Sequence, residues 1–577
     1  MYKRNTLFLM LISISISSYA QKIKKSNQEI VIVSGKVLSP KDSLQINEYY
    51  YAGLREKVVQ NQTLAIDYFN QVLNIDPAHH YSYYELAQIY YNQGDLKKAK
   101  EFAQKATAIK TDNEYYWSLL ANIYEGQKDY ALLVYAFDEL IKIEPNKSDY
   151  SFERADALFA LDKNDEALLQ YQNLEQKLGL TDDVLLGRQK IYLKKGQIDK
   201  AVADLELLTK NNPADDRYYF LLGDIYFMNN KLNDALEIYQ KSLAIDDSNP
   251  MTRLAIAQIY DIQKKPEQAF EQLKMAFAQA DLNIDAKVKI IVKYFNDFPN
   301  PQALDQAEAL TKILTTTHPD DPKSFALYGD VLFQYQLFTE AKSAYESAIK
   351  LNQNVYQVWE KLLRVQISLS DFVGLIKNGE EALTLFPNQY ELYFLTSIAY
   401  SQQKQFEKAI NYLQNVLTFD IEGKEFKSQV YSSLGDAYQQ QKKYKDSETA
   451  YEESLRLLPN NTYTLNNYAY YLSLRNEQLS KAEKMSAKSN ELEKENASFQ
   501  DTYAWILFKQ EKFNDAKVWM EKAIMNNDHN AVQYDHYGDI LFQLGDIEMA
   551  IVQWKKALDL DPNKLDIESK INSNLKR

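Results

Sequence analysis

Cysteine is absent from the 577 residues of this chain. Its absence excludes disulfides, thiol nucleophiles, thiolate metal sites and lipid attachment to a cysteine. Glycine and proline are scarce, with 15 and 13 copies, too few for the turns of an all-β protein. The sequence also lacks the HExxH, GxSxG, Walker and Rossmann patterns. We therefore expect a mostly helical protein that is not an enzyme and has no catalytic residues, metal ligands or cofactor.

Long apolar runs are missing as well. The longest, residues 6–17, has 12 residues, whereas a helix that spans a membrane needs about 20. It follows Lys3 and Arg4 and precedes the small residues Ser18 and Ala20, the order found in secretory signal peptides. We expect a signal peptide over residues 1–20, cleaved after Ala20, with an uncleaved anchor as the alternative.

The composition limits the class of partner. A formal charge of −14 repels phosphate backbones, so we expect no nucleic-acid partner. A hydrophobic content of 45% is sufficient for a packed core and argues against wholesale disorder. The 44 tyrosines add side chains that can bury a ring while the hydroxyl stays in water.

Gly-Asp pairs recur along the whole chain. They begin at Gly223, Gly329, Gly435 and Gly538, separated by 106, 106 and 103 residues. Prolines have a related spacing: Pro77, Pro145 and Pro213 are each 68 residues apart, which is twice 34. Because proline cannot continue a helix, each of these prolines marks an end, and the chain is a repeat of about 34 residues.

Each repeat carries the same residue types at the same points. A small residue comes early in the unit, an aromatic residue often follows three positions later, and an alanine comes near the middle. The small residues are Gly53, Ala87, Ala121, Ala155, Gly223, Ala257, Gly329, Gly435, Ala469, Ala504 and Gly538. Spacings of three and four are helical, so each unit is predicted to be a helical hairpin. A hairpin this small can bury its apolar face only against stacked neighbours.

The pattern resembles the tetratricopeptide repeat family. Two stretches carry the resemblance most closely, "ELAQIYYNQGDLKKAKEFAQKATAI" and "YGDILFQLGDIEMAIVQWKKALDLDPN". The resemblance implies an all-α fold, a right-handed α-solenoid of about fifteen hairpins that ends in a C-terminal capping helix. We expect repeats 1–7 over residues 46–283, a divergent repeat 8 over 284–321, repeats 9–15 over 322–564 and the capping helix over 565–577. Residues 21–45 would form a flexible arm, with a possible short strand at 29–38.

Three repeats depart from the pattern, one of them only through Gln189 at a small-residue position. In repeat 8, Phe295 stands where a small residue belongs, and "DFPNP" should break the first helix. In repeat 10, Leu363 and Leu375 occupy the small-residue positions, and Gly374 and Gly379 should loosen the second helix. We expect stacking to be weakest at repeats 8 and 10 and regard repeat 8 as a possible hinge.

The stretch "YDHYGDILFQLGD" gathers polar side chains that invite a metal-site interpretation. Asp535 and Asp539 would lie on one helix face while His536 points elsewhere, so the three should not converge on a metal. Gly545 is predicted to form the turn between helices, where positive φ is needed, and Asp546 to cap the second helix.

In the family that the chain resembles, the first helices line a concave face that binds protein or peptide partners. On that face the resemblance places Tyr84, Tyr91, Phe152, Asp156, Phe220, Asp224, Phe227, Asp330, Phe333, Asp436, Trp505, Phe508, Asp539 and Phe542. The alternative for any one ring is that it packs between adjacent first helices.

The closing repeats resemble those of exported, outer-membrane-associated Gram-negative members of the family. That resemblance implies a non-enzymatic scaffold in the periplasm, peripheral at the outer membrane through a partner, that serves envelope protein assembly or secretion. The alternative function is binding of a glycan or a small cationic ligand in an aromatic and acidic groove.

Overall fold

The computed structural model of this chain describes residues 37–563 and 565–574. The predicted signal peptide and nearly all of the predicted strand at 29–38 lie outside these residues, and both stay predictions. None of the helices in the described part is long and apolar enough to cross a membrane.

The described residues form thirty-one α-helices and contain no strand, which confirms the all-α fold class. The helices are α1 Pro40–Val58, α2 Gln62–Ile75, α3 His80–Asn92, α4 Leu96–Ile109, α5 Glu114–Gly126, α6 Tyr130–Ile143, α7 Asp149–Ala160, α8 Asn164–Leu178, α9 Asp182–Lys194, α10 Ile198–Asn211, α11 Asp216–Met228, α12 Leu232–Ile245, α13 Pro250–Ile262, α14 Pro266–Phe277, α15 Ile284–Phe295, α16 Pro301–Thr317, α17 Pro322–Gln334, α18 Phe338–Leu351, α19 Tyr356–Ser368, α20 Phe372–Leu385, α21 Tyr390–Gln402, α22 Phe406–Val416, α23 Lys424–Gln440, α24 Tyr444–Leu457, α25 Thr462–Leu474, α26 Leu479–Leu492, α27 Ala497–Lys509, α28 Phe513–Asn526, α29 Ala531–Gln543, α30 Ile547–Leu560 and α31 Leu565–Asn574.

In chain order these helices make fifteen pairs followed by one helix, as the repeat count predicts. The odd-numbered member of each pair is the first helix and the even-numbered member is the second. The final helix, α31, packs on the last pair through the buried Ile567 and Ile571, so it caps the array. The described chain divides into two compact units, one ending at Ala269 and one beginning at Phe270. The finer domain boundaries stay predictions.

The backbone repeats with the same period as the sequence. The turn within each of the first seven hairpins contains one residue with positive φ, and these residues are 34 positions apart: Gln60, Gly94, Lys128, Asp162, Gly196, Asn230 and Lys264. Gly545, in the turn of the last hairpin, has φ +86°, which glycine adopts without steric cost. Asp546 follows it and accepts a hydrogen bond from the Met549 amide, the predicted cap.

Five glycines at the small-residue position of a first helix each make room for a specific side chain of the second helix. Gly435 lies under the ring of Tyr451, and a Cβ at that position would be 2.5 Å from the ring. The same 16-residue spacing joins Gly53 to Phe69, Gly223 to Tyr239, Gly329 to Tyr345 and Gly538 to Trp554. The glycines therefore allow a large aromatic ring to fill the space between the two helices of one hairpin.

In the two divergent repeats, 8 and 10, the large residue is on the first helix, and the smaller residue is 16 positions later, on the second helix. Leu363 is fully buried, and the residue 16 positions later is the buried Gly379. Phe295 is followed at the same distance by Thr311, also fully buried. Moreover, α20 runs without a break from Phe372 to Leu385. Gly379 lies against Thr396 of the next first helix, where an added Cβ would clash with the threonine hydroxyl. Weak stacking at repeats 8 and 10 stays a prediction.

Repeat 8 is interrupted where the sequence predicts. Its first helix, α15, ends at Phe295, and residues 296–300 form a turn before Pro301 starts α16. The four inserted residues at 284–287 form the first turn of α15. A hinge at this repeat stays a prediction.

The inserted turn also places a lysine in the core. Lys287 has no exposed surface, and its ammonium group donates to the carbonyls of Phe277 and Gln279 at 2.8 and 2.7 Å. His318 Nε2 lies 2.8 Å from the same nitrogen. Burial lowers the pKa of Lys287 to about 8. This lysine satisfies carbonyl groups at the end of α14 and so has a structural role.

Candidate partner-binding site

The five aspartates predicted on the concave face all accept a hydrogen bond inside their own hairpin. The donor is in each case the buried aromatic residue 15 positions later: Tyr171 for Asp156, Tyr239 for Asp224, Tyr345 for Asp330, Tyr451 for Asp436 and Trp554 for Asp539. The Tyr345 and Tyr451 bonds are 2.8 and 2.6 Å long. In four of the five hairpins the aspartate follows the glycine that lies under that ring. We call this arrangement the Gly-Asp-aromatic set.

Burial is the largest influence on the pKa of three of these aspartates. It raises the pKa of Asp436 to about 6, although Tyr451 and Asn467 donate hydrogen bonds that favour the carboxylate. Burial likewise raises the pKa of Asp224 and of Asp539. The pKa of Tyr451 lies well above its usual value because the ring is buried beside the Asp436 carboxylate. The tyrosines thus keep their protons and act as hydrogen-bond donors.

A second contact connects three of the aspartates to the next first helix. Asp330 pairs with Lys361, Asp436 accepts from Asn467, and Asp539 pairs with Lys570 of the capping helix, each partner lying 31 residues later. The oxygen-to-nitrogen distances are 2.6, 3.2 and 2.6 Å. These three acidic positions therefore connect successive first helices.

The polar stretch in the last repeat is held in the same way. His536 points to Asp501 of the preceding first helix, with Nδ1 2.8 Å from the carboxylate, while Lys570 lies 2.7 Å from Asp535. Asp539 is turned toward Trp554 and Lys570. Within residues 37–563 and 565–574 no group of three or more His, Asp or Glu side chains is placed to hold a metal.

Trp505 is enclosed by other rings. Its indole stacks between Phe508 and His536, with centroids 4.8 and 3.9 Å away, and only 7% of the residue is exposed. Lys509 lies 4.6 Å from the ring centroid. Because both faces of the indole are covered, Trp505 packs between adjacent first helices, the alternative that the sequence left open.

The other predicted rings are half-buried and belong to first helices. They are Tyr84, Tyr91, Phe152, Phe220, Phe227, Phe333, Phe508 and Phe542. Several contact a neighbouring ring on one side, as Phe152 does with Tyr171 and Phe333 with Phe338. Together the first helices of each unit present a surface that combines aromatic area with fixed polar groups, which we call the first-helix face.

Each unit has a cavity in its first-helix face. In the unit that ends at Ala269, a cavity of about 340 Å³ is lined by Phe152 and Asp156, together with Asp149, Glu153, Tyr171, Asp183, Leu186, Gly187 and Lys190. In the unit that begins at Phe270, a cavity of about 610 Å³ is lined by Asp330 and Phe333, together with Phe295, Phe298, Pro299, Gln334, Tyr345, Lys361 and Arg364. Four of the predicted site residues therefore line cavities, and the sequence did not indicate that they would be grouped in this way.

The fold is an array of helical hairpins whose first helices form one face in each unit. Five segments match tetratricopeptide repeat family models: residues 63–123, 190–250, 390–420, 428–461 and 538–570. The chain therefore contains tetratricopeptide repeats, in agreement with the period, the hairpins and the residue pattern.

Curated proteins with similar sequences come from several organisms. The BBSome complex member BBS4 of Bos taurus is 24% identical over 344 residues, which is 58% of this chain and 64% of that protein. The DnaJ homolog subfamily C member 3 of Gallus gallus is 22% identical over 341 residues, 52% of this chain and 65% of that protein. The protein O-mannosyl-transferase TMTC1 of Homo sapiens is 26% identical over 171 residues, 29% of this chain and 19% of that protein. The chain thus spans less than two thirds of the length of each of these relatives.

Two solved structures are similar to this chain at lower sequence identity than these relatives. The Cut9–Hcn1 complex of the APC/C has a TM-score of 0.40 at 13% identity, covering 86% of this chain and 96% of that one. Yeast Tom70 has a TM-score of 0.36 at 16% identity, with coverage of 86% and 95%.

Proposed function

We propose that this protein is a non-enzymatic scaffold that binds protein or peptide partners on its first-helix face. The observation that carries the proposal is the pair of cavities in that face, one in each unit, lined by the predicted residues Phe152, Asp156, Asp330 and Phe333. Their volumes, about 340 and 610 Å³, are in the range of ligand sites in proteins. Aromatic side chains contribute large contact area at low entropic cost, and fixed polar groups beside them supply orientation.

The names of two relatives agree with an interaction role. BBS4 is a complex member, and a second relative, 24% identical over 178 residues, is subunit 3 of the anaphase-promoting complex of Schizosaccharomyces pombe. The similarity to TMTC1 covers only 19% of that protein and supports no transferase activity for this chain.

We further propose that the scaffold acts in the periplasm, in envelope protein assembly or secretion, peripheral at the outer membrane through a partner. The order of charged, apolar and small residues over positions 1–20 supports export. Amino-terminal sequencing of the mature protein tests this location, with Gln21 as the expected first residue.

Site-specific crosslinking tests the binding face. A photoreactive amino acid at Phe152 or Phe333 is expected to crosslink to the same protein in living cells, because both positions line cavities of the first-helix face. The matched controls are Val373 and Val518 on second helices, which are 71% and 52% exposed. Equal crosslinking from the control positions, or none from Phe152 and Phe333, would remove the support for this face.

The smaller cavity favours a second candidate function, binding of a small cationic ligand. The lining holds four carboxylates, Asp149, Glu153, Asp156 and Asp183, and one cation, Lys190, so this cavity has a surplus of negative charge beside the Phe152 ring. Burial and the charges of Asp156, Glu125 and Asp149 raise the pKa of Glu153. Spermidine is expected to raise the melting temperature of the wild type in a saturable way, and less so for Glu153→Gln. A response that is unchanged by this substitution would rule this cavity out.

Binding of a glycan, the other alternative predicted from the sequence, has less support than binding of a cationic ligand. A sugar stacks on an open ring face, and both faces of Trp505 are covered.

A further inference from the structure

The larger cavity owes its shape to the divergent repeat. Because α15 ends at Phe295, the turn that follows brings Phe298 and Pro299 to the edge of the first-helix face. The opposite side is formed by α17 and α19 of the next two hairpins, and Tyr345 of α18 contributes to the lining. All of these residues belong to the unit that begins at Phe270.

One part of this cavity is aromatic. Phe295 and Phe298 lie with ring centroids 5.0 Å apart and tilted by 40°, and Phe333 contacts Phe338 in an edge-on arrangement at 5.4 Å. Phe295, Phe298 and Phe333 are each half-buried, so part of every ring faces the cavity. Rings in such tilted and edge-on arrangements favour a further aromatic ring over an aliphatic side chain of similar area.

The other part is cationic. Asp330 is already satisfied, since one oxygen accepts from Tyr345 at 2.8 Å and the other pairs with Lys361 at 2.6 Å. Lys361 and Arg364, one helical turn apart on α19, keep 42% and 53% of their side chains exposed. Arg364 makes an ion pair with Glu360, which is not part of the lining. The lining thus holds two cations and one anion in a chain whose formal charge is −14.

We propose that this cavity binds a peptide segment in which an aromatic side chain is adjacent to a carboxylate. The ring occupies the space between Phe295, Phe298 and Phe333, and the carboxylate meets Lys361 and Arg364. The proposal rests on the proposed protein-binding function and names the kind of segment that this site takes. Arginine can hold a carboxylate with two parallel hydrogen bonds, and a single carboxylate adds only one negative charge beside Asp330.

The volume limits the length of the segment. A cavity of about 610 Å³ is of the size that encloses a drug-sized molecule, which corresponds to two or three residues rather than to a helix. The recognised carboxylate can come from an Asp or Glu side chain or from the end of a chain, and the two sources share the same chemistry.

Fluorescence anisotropy with the full-length protein tests the proposal. The probe is a labelled peptide Gly-Ser-Trp-Glu-Ser-Gly with a blocked carboxyl terminus, compared with versions that carry Gln for Glu or Ala for Trp. A labelled Gly-Ser-Gly-Trp with a free carboxyl terminus shows whether a chain end serves as well. We expect saturable binding of the Trp-Glu peptide and affinities about tenfold lower for the Gln and Ala versions, the loss expected from one charged hydrogen bond or one buried ring.

Variants of the protein locate the site. Arg364→Gln and Phe298→Ala are each expected to weaken the Trp-Glu peptide about tenfold. The matched control is Arg456→Gln, since Arg456 is 66% exposed and pairs with Glu453 on a second helix of the same unit. Far-ultraviolet circular dichroism checks that each variant is folded.

The proposal is overturned if no peptide binds saturably, or if Arg364→Gln and Phe298→Ala bind the Trp-Glu peptide as tightly as Arg456→Gln does. If the peptide experiments fail in this way while Phe152 and Phe333 still crosslink to a protein, only this kind of ligand is ruled out and the proposed function stands. Loss of crosslinking from both positions removes the proposed function as well.

Discussion

Trp554→Ala is expected to destabilise the last hairpin by about 3–5 kcal/mol, the usual cost of removing a large buried aromatic side chain. Trp554 is 2% exposed and fills the space above Gly538, where no Cβ projects toward the ring. Its indole nitrogen also donates to Asp539 at 3.1 Å. Native-state hydrogen exchange of the amides of α29 and α30 measures the loss as a drop in opening free energy.

Two further variants separate the contributions to that loss. Trp554→Phe keeps a ring above Gly538 but removes the donor to Asp539, so we expect a smaller cost of about 1–3 kcal/mol. Trp519→Ala is the control for loss of an indole: Trp519 is half-buried on α28 and contacts Tyr503 edge-on at 4.8 Å. If Trp519→Ala cost as much as Trp554→Ala, the special role of the Gly538 site would be contradicted.

Gly435→Ala is expected to destabilise hairpin α23–α24 by about 1–3 kcal/mol, the range found for overpacked cores. The result would be opposite to the usual effect, because alanine in place of glycine normally stabilises a helix by about 1 kcal/mol. The cause is steric, since the new Cβ would lie 2.5 Å from the buried ring of Tyr451. Opening free energies of the α23 and α24 amides report the change.

The control for helix propensity is Gly126→Ala. Gly126 is exposed in α5, and an added Cβ would meet only the end of the flexible Leu96 side chain at 3.2 Å. We expect no loss of stability there.

Combining Gly435→Ala with Tyr451→Met reproduces the Ala504 and Met520 combination of a later hairpin. The double variant should be less destabilised than the two single changes added together, and strict additivity would argue against the steric explanation.

Much of the fold could be predicted from the sequence because its signals are local and periodic. Proline ends, small residues at helical spacing and the 34-residue period all depend on neighbours along one hairpin. The break after Phe295 and the cap at Asp546 were predicted correctly for the same reason.

The pairing of residues across a hairpin was not predicted. The sequence pattern placed Asp436 on the concave face, whereas Tyr451 donates a hydrogen bond to it from the second helix. This relation depends on how the two helices cross. A signal was available, because five first-helix glycines are followed 16 positions later by an aromatic residue.

The first-helix face was only partly predictable. Its helices follow from the repeat resemblance, but the burial of Trp505 between Phe508 and His536 depends on contact between successive hairpins. The larger cavity depends on the early end of α15, which the sequence predicted without indicating what would line the gap.

The central claim is that the chain is an array of hairpins that each pack internally, four of them through a Gly-Asp pair and a buried aromatic ring of the second helix. Segment-resolved hydrogen exchange of the Gly435→Ala variant tests it most directly, because in such an array each hairpin depends mainly on its neighbours. We expect faster exchange in residues 424–457 and in the adjoining hairpins, while α1–α6 and α29–α31 keep wild-type protection. Uniform loss of protection from α1 to α31 would instead show one cooperative core and contradict the account.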